Sequence, residues 1–194
     1  MRLLHYIPLD IDELLPKPEY FSVSSQLHGR LHVARVIILG AKLLELVNDP
    51  DFATPLWAAA FIHDLGRKHD GYCQEHGTWS AEKVATSPEI MAVLIRGGMK
   101  DEQWSMVQTA SIHHSKSVEL SSDDAHFKLT SLLKDADGLD RVRLGDLNPA
   151  FLRHPQAHSL IRFSERLFAA TNENCESNDP KLMSRILAHV NQLA

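Results

Sequence analysis

The chain has 194 residues, of which 44% are hydrophobic, and its 25 acidic and 20 basic side chains give a net charge of -5. This length favours one domain with a single core, and scattered charge of this sign excludes the basic surface that binds a nucleic-acid polymer. Two cysteines without CxxC spacing are typical of a reducing compartment. The sequence shows no membrane-length apolar run and no export signal. We therefore expect a cytoplasmic protein that binds neither nucleic-acid polymers nor membranes.

The N-terminal part of the chain is predicted to be an arm followed by a domain. Residues 1–25 contain three prolines and three serines, which predicts an irregular arm with one short helix at most. Residues 26–194 are predicted to form a single helical domain. Apolar side chains recur three and four apart from Gln26 to Asn48, and this spacing predicts an amphipathic helix of about six turns. His32 lies midway along it.

The next predicted helix is apolar on every side. Thr54-Pro55 provides an N-cap and a first-turn proline, residues 56–62 are all apolar, and Gly66 marks the end. A helix without a polar face is typical of a buried central helix. His63 and Asp64 lie at its end, where a carboxylate loses hydration unless it meets a counter-charge. A metal ion is the usual partner when imidazole is adjacent.

The rest of the chain is predicted to be helical as well. Proline, glycine and capping residues divide it into segments at about 78–86, 88–97, 101–114, 124–138, 149–152, 155–170 and 180–193. No stretch shows a persuasive strand-type alternation. The predicted fold class is therefore all-α, a single-domain bundle of about eight helices in which residues 28–141 form the core and the helices of residues 149–194 pack on it.

Four polar residues occupy comparable places in these helices. They are His32, His63, Asp64 near the end of the buried helix, and Asp137 near the end of the helix at 124–138. Imidazole and carboxylate together suit iron, manganese, zinc, cobalt or nickel, but not calcium, which prefers oxygen ligands throughout. Adjacent helical residues point about 100° apart. His63 and Asp64 therefore hint at two metal ions rather than one.

The order and local contexts of these residues resemble the HD-domain superfamily of metal-dependent phosphohydrolases. The matching contexts span residues 28–141, and they are His32-Val33-Ala34-Arg35-Val36, Ala59-Ala60-Phe61-Ile62-His63-Asp64-Leu65-Gly66-Arg67 and Leu133-Lys134-Asp135-Ala136-Asp137-Gly138-Leu139-Asp140-Arg141. The resemblance implies a helical bundle of the HD-domain type. It also implies that His32, His63, Asp64 and Asp137 bind metal, and that a metal-bound water attacks phosphorus.

Two further histidines resemble the extra ligands of the dinuclear members of this superfamily, such as cyclic-dinucleotide phosphodiesterases. His76 stands in Glu75-His76-Gly77-Thr78 and His113 in Ile112-His113-His114-Ser115. The resemblance then implies one or two divalent ions, with iron or manganese favoured and zinc, cobalt or nickel also suitable, and with Asp64 as the bridging ligand. A histidine facing solvent is the alternative for His76, and His114 is the alternative to His113.

Three basic residues near these ligands are candidates to bind a phosphorylated substrate. They are Arg67, Lys134 and Arg141. Arginine offers a planar fork to phosphate, and lysine offers a point charge that can stabilise a transition state. Lys134 is therefore a candidate catalytic residue together with His63 and Asp64. Ordinary surface ion pairs are an equally good interpretation of these basic side chains.

Three functions agree with this pattern. The leading hypothesis is a metal-dependent phosphohydrolase that acts on a small phosphoester such as a nucleotide. The alternative is a mixed-valent diiron oxygenase that resembles the myo-inositol and organophosphonate oxygenases. No tyrosine and glutamate pair precedes His32 to anchor their substrates, which makes this alternative weaker. The third hypothesis is a non-catalytic ligand-binding module.

Other parts of the sequence are less informative about function. His28 lies one turn before His32 and is interpreted either as a residue supporting the site or its substrate, or as a solvated histidine. The loops at 67–77, 115–124 and 141–154 are expected to line the mouth of the site. The apolar stripe of residues 182–193 is predicted to pack on the core, with contact in a homodimer as the alternative.

Overall fold

The computed structural model describes residues 2–193, which form nine α-helices and contain no β-strand. The helices are α1 (Arg30–Val47), α2 (Ala53–Ile62), α3 (His76–Ala85), α4 (Pro88–Arg96), α5 (Trp104–His114), α6 (Phe127–Leu139), α7 (Pro155–Ser159), α8 (Ile161–Asn174) and α9 (Leu182–Gln192). The predicted all-α fold is confirmed. None of the helices between residues 2 and 193 is both long and apolar enough to cross a membrane.

Helix α2 lies at the centre of the bundle. It packs against α1, α5 and α6, and the side chains of Trp57 and Phe61 are almost fully buried. A helix of these residues has no polar face to turn toward solvent, so neighbours must cover it on all sides. The prediction of a buried central helix is confirmed. This arrangement brings the end of α2, with His63 and Asp64, into the interior of the bundle.

Residues 2–25 form an arm that is packed on the bundle. The arm contains three 3₁₀ helices, Arg2–Tyr6, Ile11–Leu14 and Pro18–Tyr20. Its apolar side chains Leu3, Leu4, Ile7, Leu14, Leu15 and Tyr20 are buried in the common core. The Trp57 indole N–H donates to the Leu14 carbonyl at 3.0 Å, so the arm is also attached to α2 through a hydrogen bond.

Helix α1 begins four residues later than the spacing of its apolar residues predicts. The Ser25 hydroxyl accepts hydrogen bonds from the backbone N–H groups of Leu27 (3.0 Å) and His28 (2.8 Å). Such a side-chain bond stabilises a turn in competition with the helix. Gly29 then serves as the N-cap. His28 therefore lies in a turn before α1 and not on the face of the helix.

The helix predicted at 155–170 is divided in two. The N–H of Leu160 bonds to the carbonyl of Ala157, closing a tight turn, and α8 starts at the next residue. The final helix α9 buries Leu182, Met183, Ile186 and Val190 within the chain. The apolar stripe of this helix therefore packs on the core.

Two glycines allow α3 to approach its neighbours closely. The Gly66 N–H donates to the Ser80 hydroxyl at 2.8 Å, and a Cβ at Gly66 would lie 2.3 Å from the Ser80 nitrogen. A Cβ at Gly77 would lie 2.0 Å from the carbonyl oxygen of Ser111 on α5. No side chain fits at either position. The ends of α2 and α5 and the start of α3 meet because of these contacts.

Candidate metal centre

Four buried histidines meet at this junction, and each has its Nδ1 atom bound to an acceptor. His63, His76 and His114 donate to the carbonyl oxygens of the residues three positions earlier, at 2.7, 2.8 and 2.6 Å. The Nδ1 of His32 lies 2.7 Å from a carboxylate oxygen of Asp140. Carbonyl and carboxylate oxygens can only accept, so Nδ1 carries the proton in all four rings. Each Nε2 therefore presents a lone pair, as in metal-bound histidine.

These Nε2 atoms point at one another. The Nε2 atoms of His76 and His114 are 2.8 Å apart, and those of His32 and His63 are 3.1 Å apart. Two lone pairs at such distances repel unless a cation lies between them. A proton or a metal ion could be that cation.

The pKa values separate these two explanations for the pair of His76 and His114, but not for the pair of His32 and His63. Burial lowers the pKa of His76, and burial together with the neighbouring imidazoles lowers the pKa of His114 to about 3. A proton is therefore disfavoured in this pair, and a metal ion fits it. Burial also lowers the pKa of His63. Burial and Arg143 would lower the pKa of His32, but hydrogen bonds to Asp137 and Asp140 raise it overall, so this pair can hold either cation.

Asp64 connects the two pairs of histidines. Its Oδ2 lies 3.4 Å from His32 Nε2 and 3.6 Å from His63 Nε2. Its Oδ1 lies 3.2 Å from His76 Nε2 and 4.0 Å from His114 Nε2. Each histidine pair forms with Asp64 a group whose ligand atoms lie within 4.8 Å of one another. The carboxylate thus presents one oxygen to each of two buried clusters that could hold a metal ion.

Asp137 and Asp140, on the last turn of α6 and just after it, flank His32 in different ways. Asp137 Oδ1 lies 3.3 Å from His32 Nε2, and its side chain is 27% exposed, which places it on the open side of the cluster. Asp140 is fully buried and contacts the opposite side of the ring through Nδ1. It also accepts hydrogen bonds from Arg35 at 2.6 and 3.2 Å. Asp137 is placed as a ligand would be, whereas Asp140 orients the histidine.

The structure places His114, and not His113, in the second cluster, so the residue assigned from the sequence is corrected. Both lie at the end of α5, but adjacent helical side chains point about 100° apart. His114 is buried against His76. The Nδ1 of His113 has no hydrogen-bond partner among residues 2–193, and the charges that affect its pKa belong to Lys116, Lys134 and other residues outside the cluster.

Replacing these two neighbours separately provides a matched test. We expect His114→Ala to lose one of two metal ions per chain, because it removes a ligand atom from one cluster only. His113→Ala should retain both ions. Elemental analysis after purification in manganese or iron measures the difference. Equal metal content in the two variants would contradict the placement of His114.

A cavity of about 290 Å³ opens onto the centre. Four of the candidate ligands line it, namely Asp64, His76, His114 and Asp137. Arg67, Arg141 and Arg143 also line it, so the cavity presents three cations near the clusters. His28 lines it as well, and burial lowers the pKa of its imidazole to about 4. An adjoining cavity of about 550 Å³ shares Asp137 and Arg141 with the first. Residues from all three loops predicted at the mouth, 67–77, 115–124 and 141–154, line these two cavities.

The predicted substrate-binding side chains already have partners within the protein. Lys134 is 3% exposed, and its ammonium donates to Glu119 at 2.8 Å and to the carbonyl of Lys116 at 3.0 Å. It lines only the adjoining cavity. Arg141 is paired with Asp146. A catalytic role for Lys134 and phosphate binding by Arg141 stay predictions, and each would require an exchange of partner.

Sequence reasoning missed three residues that shape the site: Asp70, Asp140 and Arg143. Asp140 is a charged residue within an otherwise apolar contact face, three positions after Asp137, and that spacing is the signal that could have found it. The roles of Asp70 and Arg143 depend on contacts with His28 and Leu27, which are distant in the sequence. No local pattern indicates them.

The clusters contain the imidazole and carboxylate ligands that borderline divalent ions prefer, in a buried site with an open side. They could hold metal, and the identity of the metal is not determined by these residue types alone. Comparisons with models of known protein families, with curated proteins and with solved structures gave no match. The geometry of the site is therefore what supports a function for this chain.

Proposed function

We propose that this protein is a metal-dependent phosphohydrolase of the HD-domain type that acts on a small phosphoester. The observation that carries the proposal is the position of Asp64, whose two oxygens face two separate histidine pairs. A carboxylate shared between two clusters suits a pair of divalent ions, because each oxygen can bind a different ion. Such paired ions act as Lewis acids and lower the pKa of water, which is the chemistry that displacement at phosphorus needs.

The candidate ligands would bind two ions in two separate groups. His32, His63 and the Asp64 Oδ2 atom would hold one ion, with Asp137 beside them on the open side. His76, His114 and Asp64 Oδ1 would hold the other. Iron, manganese, zinc, cobalt and nickel all suit this mixture of nitrogen and oxygen ligands, and the resemblance to the HD-domain superfamily favours iron or manganese.

Two arginines at the cavity have free donors for a phosphate group. Arg67 donates through Nε to Asp64 at 3.3 Å and through Nη1 to the carbonyls of His69 and Gly71. Arg143 donates through Nε to the carbonyl of Leu27 and through Nη1 to that of Asp140.

Within residues 2–193, the Nη2 of Arg67 and the Nη2 of Arg143 have no hydrogen-bond partner, and both side chains line the cavity. Their guanidinium groups are already fixed by the other bonds. They can therefore bind an anion with little loss of conformational freedom.

The size of the cavities favours a small substrate. Volumes of about 290 and 550 Å³ accommodate a sugar phosphate or a mononucleotide but not a polymer. Tyr72 lines both cavities and is 86% exposed, and Phe151 lines the larger one and is 73% exposed. These rings offer apolar faces on which a planar base could stack. A nucleoside monophosphate is therefore a suitable first substrate to assay.

The proposal is tested by metal analysis followed by activity assays. We expect about two divalent ions per chain and release of phosphate from phosphomonoesters or nucleotides in the presence of manganese or iron, with no requirement for oxygen. Two iron atoms with oxygen-dependent turnover would contradict the hydrolase and favour the diiron oxygenase. Protein that retains no metal would contradict both enzymes and leave the non-catalytic module.

A further inference from the structure

Three residues form a hydrogen-bonded group at the cavity, next to the metal centre but outside it. The Ser25 hydroxyl donates to Asp70 Oδ1 at 2.5 Å, and His28 Nδ1 lies 2.8 Å from the same oxygen. The Ser25 oxygen in turn accepts from the backbone N–H of His28. The three residues come from two segments 42 positions apart. His28 is thus held by hydrogen bonds both at its backbone N–H and at its ring Nδ1.

These contacts determine which atom of His28 faces the cavity. A carboxylate can only accept, so the proton of the neutral ring lies on Nδ1 and Nε2 is an acceptor. Nε2 has no hydrogen-bond partner among residues 2–193, and this atom is accessible rather than buried. His28 is only 7% exposed but lines the cavity with Asp64 and Asp137. Its Nε2 is therefore open to the cavity, as an acceptor without a donor.

The cavity is lined by groups of two chemical kinds. Arg67 and Arg143 offer Nη2 donors, which suit an anion. His28 Nε2 and the carboxylate of Asp70, which also lines the cavity and is 45% exposed, are acceptors. A small phosphoester bound by the arginines would place its alcohol portion within the same 290 Å³ space. A group that donates a hydrogen bond would satisfy the free acceptors.

We propose that Ser25, His28 and Asp70 form a substrate subsite that recognises a hydrogen-bond donor, a hydroxyl or an ammonium group, on the alcohol portion of the phosphoester. This inference rests on the proposed function and narrows its substrate class to phosphoesters of hydroxylated or aminated alcohols. His28 is the residue that contacts the donor. Asp70 and Ser25 are positioning residues that hold the ring and fix the location of its proton.

The test uses three esters that differ in one group: ethyl phosphate, 2-hydroxyethyl phosphate and 2-aminoethyl phosphate. Their affinities for the manganese-loaded full chain are measured by calorimetry, in short titrations that are complete before turnover. We expect the hydroxyl or the ammonium ester to bind about tenfold more tightly than ethyl phosphate, the gain typical of one buried hydrogen bond. Comparing 2-hydroxyethyl phosphate with 2-aminoethyl phosphate shows which donor the subsite prefers.

Variants assign this preference to the subsite. His28→Ala should reduce the affinity ratio to about one, and Asp70→Ala should lower it as well because the ring of His28 loses the acceptor that holds its Nδ1 proton. His28→Gln, which restores an acceptor near the position of Nε2, should recover part of the ratio. His126→Ala is the matched control, because His126 forms a similar pair with Asp124 outside the cavity. It should leave the ratio unchanged.

The outcomes separate this inference from the proposed function. Equal affinity of the wild-type protein for all three esters, or an unchanged ratio in His28→Ala, would overturn the subsite. Metal content and phosphate release are measured on the same preparations. Selective binding without phosphate release would support the subsite and contradict the hydrolase, whereas phosphate release without selectivity would do the reverse.

Discussion

Replacing Asp64 by asparagine is expected to release both metal ions and to reduce phosphoester hydrolysis about a thousandfold or more. Each oxygen of Asp64 faces a different histidine pair, so the substitution replaces the ligand oxygen of one cluster by an amide nitrogen and leaves the other cluster only a neutral amide oxygen. Asparagine keeps the volume of the side chain but is a neutral and weaker ligand. His76→Ala, which alters a single cluster, should remove at most one ion.

The measurement is the number of metal ions per chain, with hydrolysis of the best substrate assayed in parallel. Asp124→Asn is the control, since this carboxylate lies outside both clusters and is 39% exposed. It should keep both ions and full activity. Thermal unfolding of each variant shows whether the chain is still folded. Retention of both ions by Asp64→Asn would contradict the shared-ligand geometry.

The sequence predicts the central part of this site well because its signal is local. An apolar helix that ends in an adjacent histidine and aspartate must be buried, and a buried carboxylate needs a cation. The structure accordingly places His63 and Asp64 in the interior, with His32 beside them. The spacing of apolar residues also predicts α1 and α6, which hold His32 and Asp137. The repeat of apolar residues is sufficient to predict a helix that packs on the core along one face.

The choice between His113 and His114 could not be made from the sequence, because both lie in the last turn of α5 and nothing local fixes which side of that turn faces α3. The close contact at Gly77 sets this orientation, since it brings the start of α3 onto Ser111. The carbonyl of Ser111 then accepts from His114 Nδ1. The pair of His28 with Asp70 likewise depends on a loop conformation that no periodic pattern encodes.

The buried carboxylate of Asp140 is expected to be the main stabilising charge beneath the site. Asp140→Asn should lower the free energy of unfolding by about 3–5 kcal/mol, because the Arg35 guanidinium would remain buried without a counter-charge. For a chain of this length that corresponds to a decrease in Tm of about 10 °C. The amide can also donate to His32 Nδ1 and displace its proton, so metal affinity should fall about tenfold to a hundredfold.

Asp146→Asn is the matched control for stability, since Asp146 pairs with Arg141 at the surface and is 50% exposed. It should change the free energy of unfolding by less than about 1 kcal/mol. Chemical unfolding of both variants at pH 7 in the presence of a chelator isolates the ion pair from the metal. Equal stability of the two variants would contradict a dominant role for Asp140.

The pH dependence of this difference gives an independent check. Burial raises the pKa of Asp140, but hydrogen bonds from His32 and the charge of Arg35 outweigh burial and lower the pKa below its usual value. A carboxylate with a lowered pKa stabilises the folded chain at pH values above its unfolded pKa of about 3.9, and this contribution is lost as the pH falls through the folded pKa. The stability difference between wild type and Asp140→Asn should therefore decrease as the pH falls below the unfolded pKa of the carboxyl group. A difference that grows with acidity would show that the Asp140 carboxyl is protonated in the folded protein, and Arg35 and His32 would then need another counter-charge.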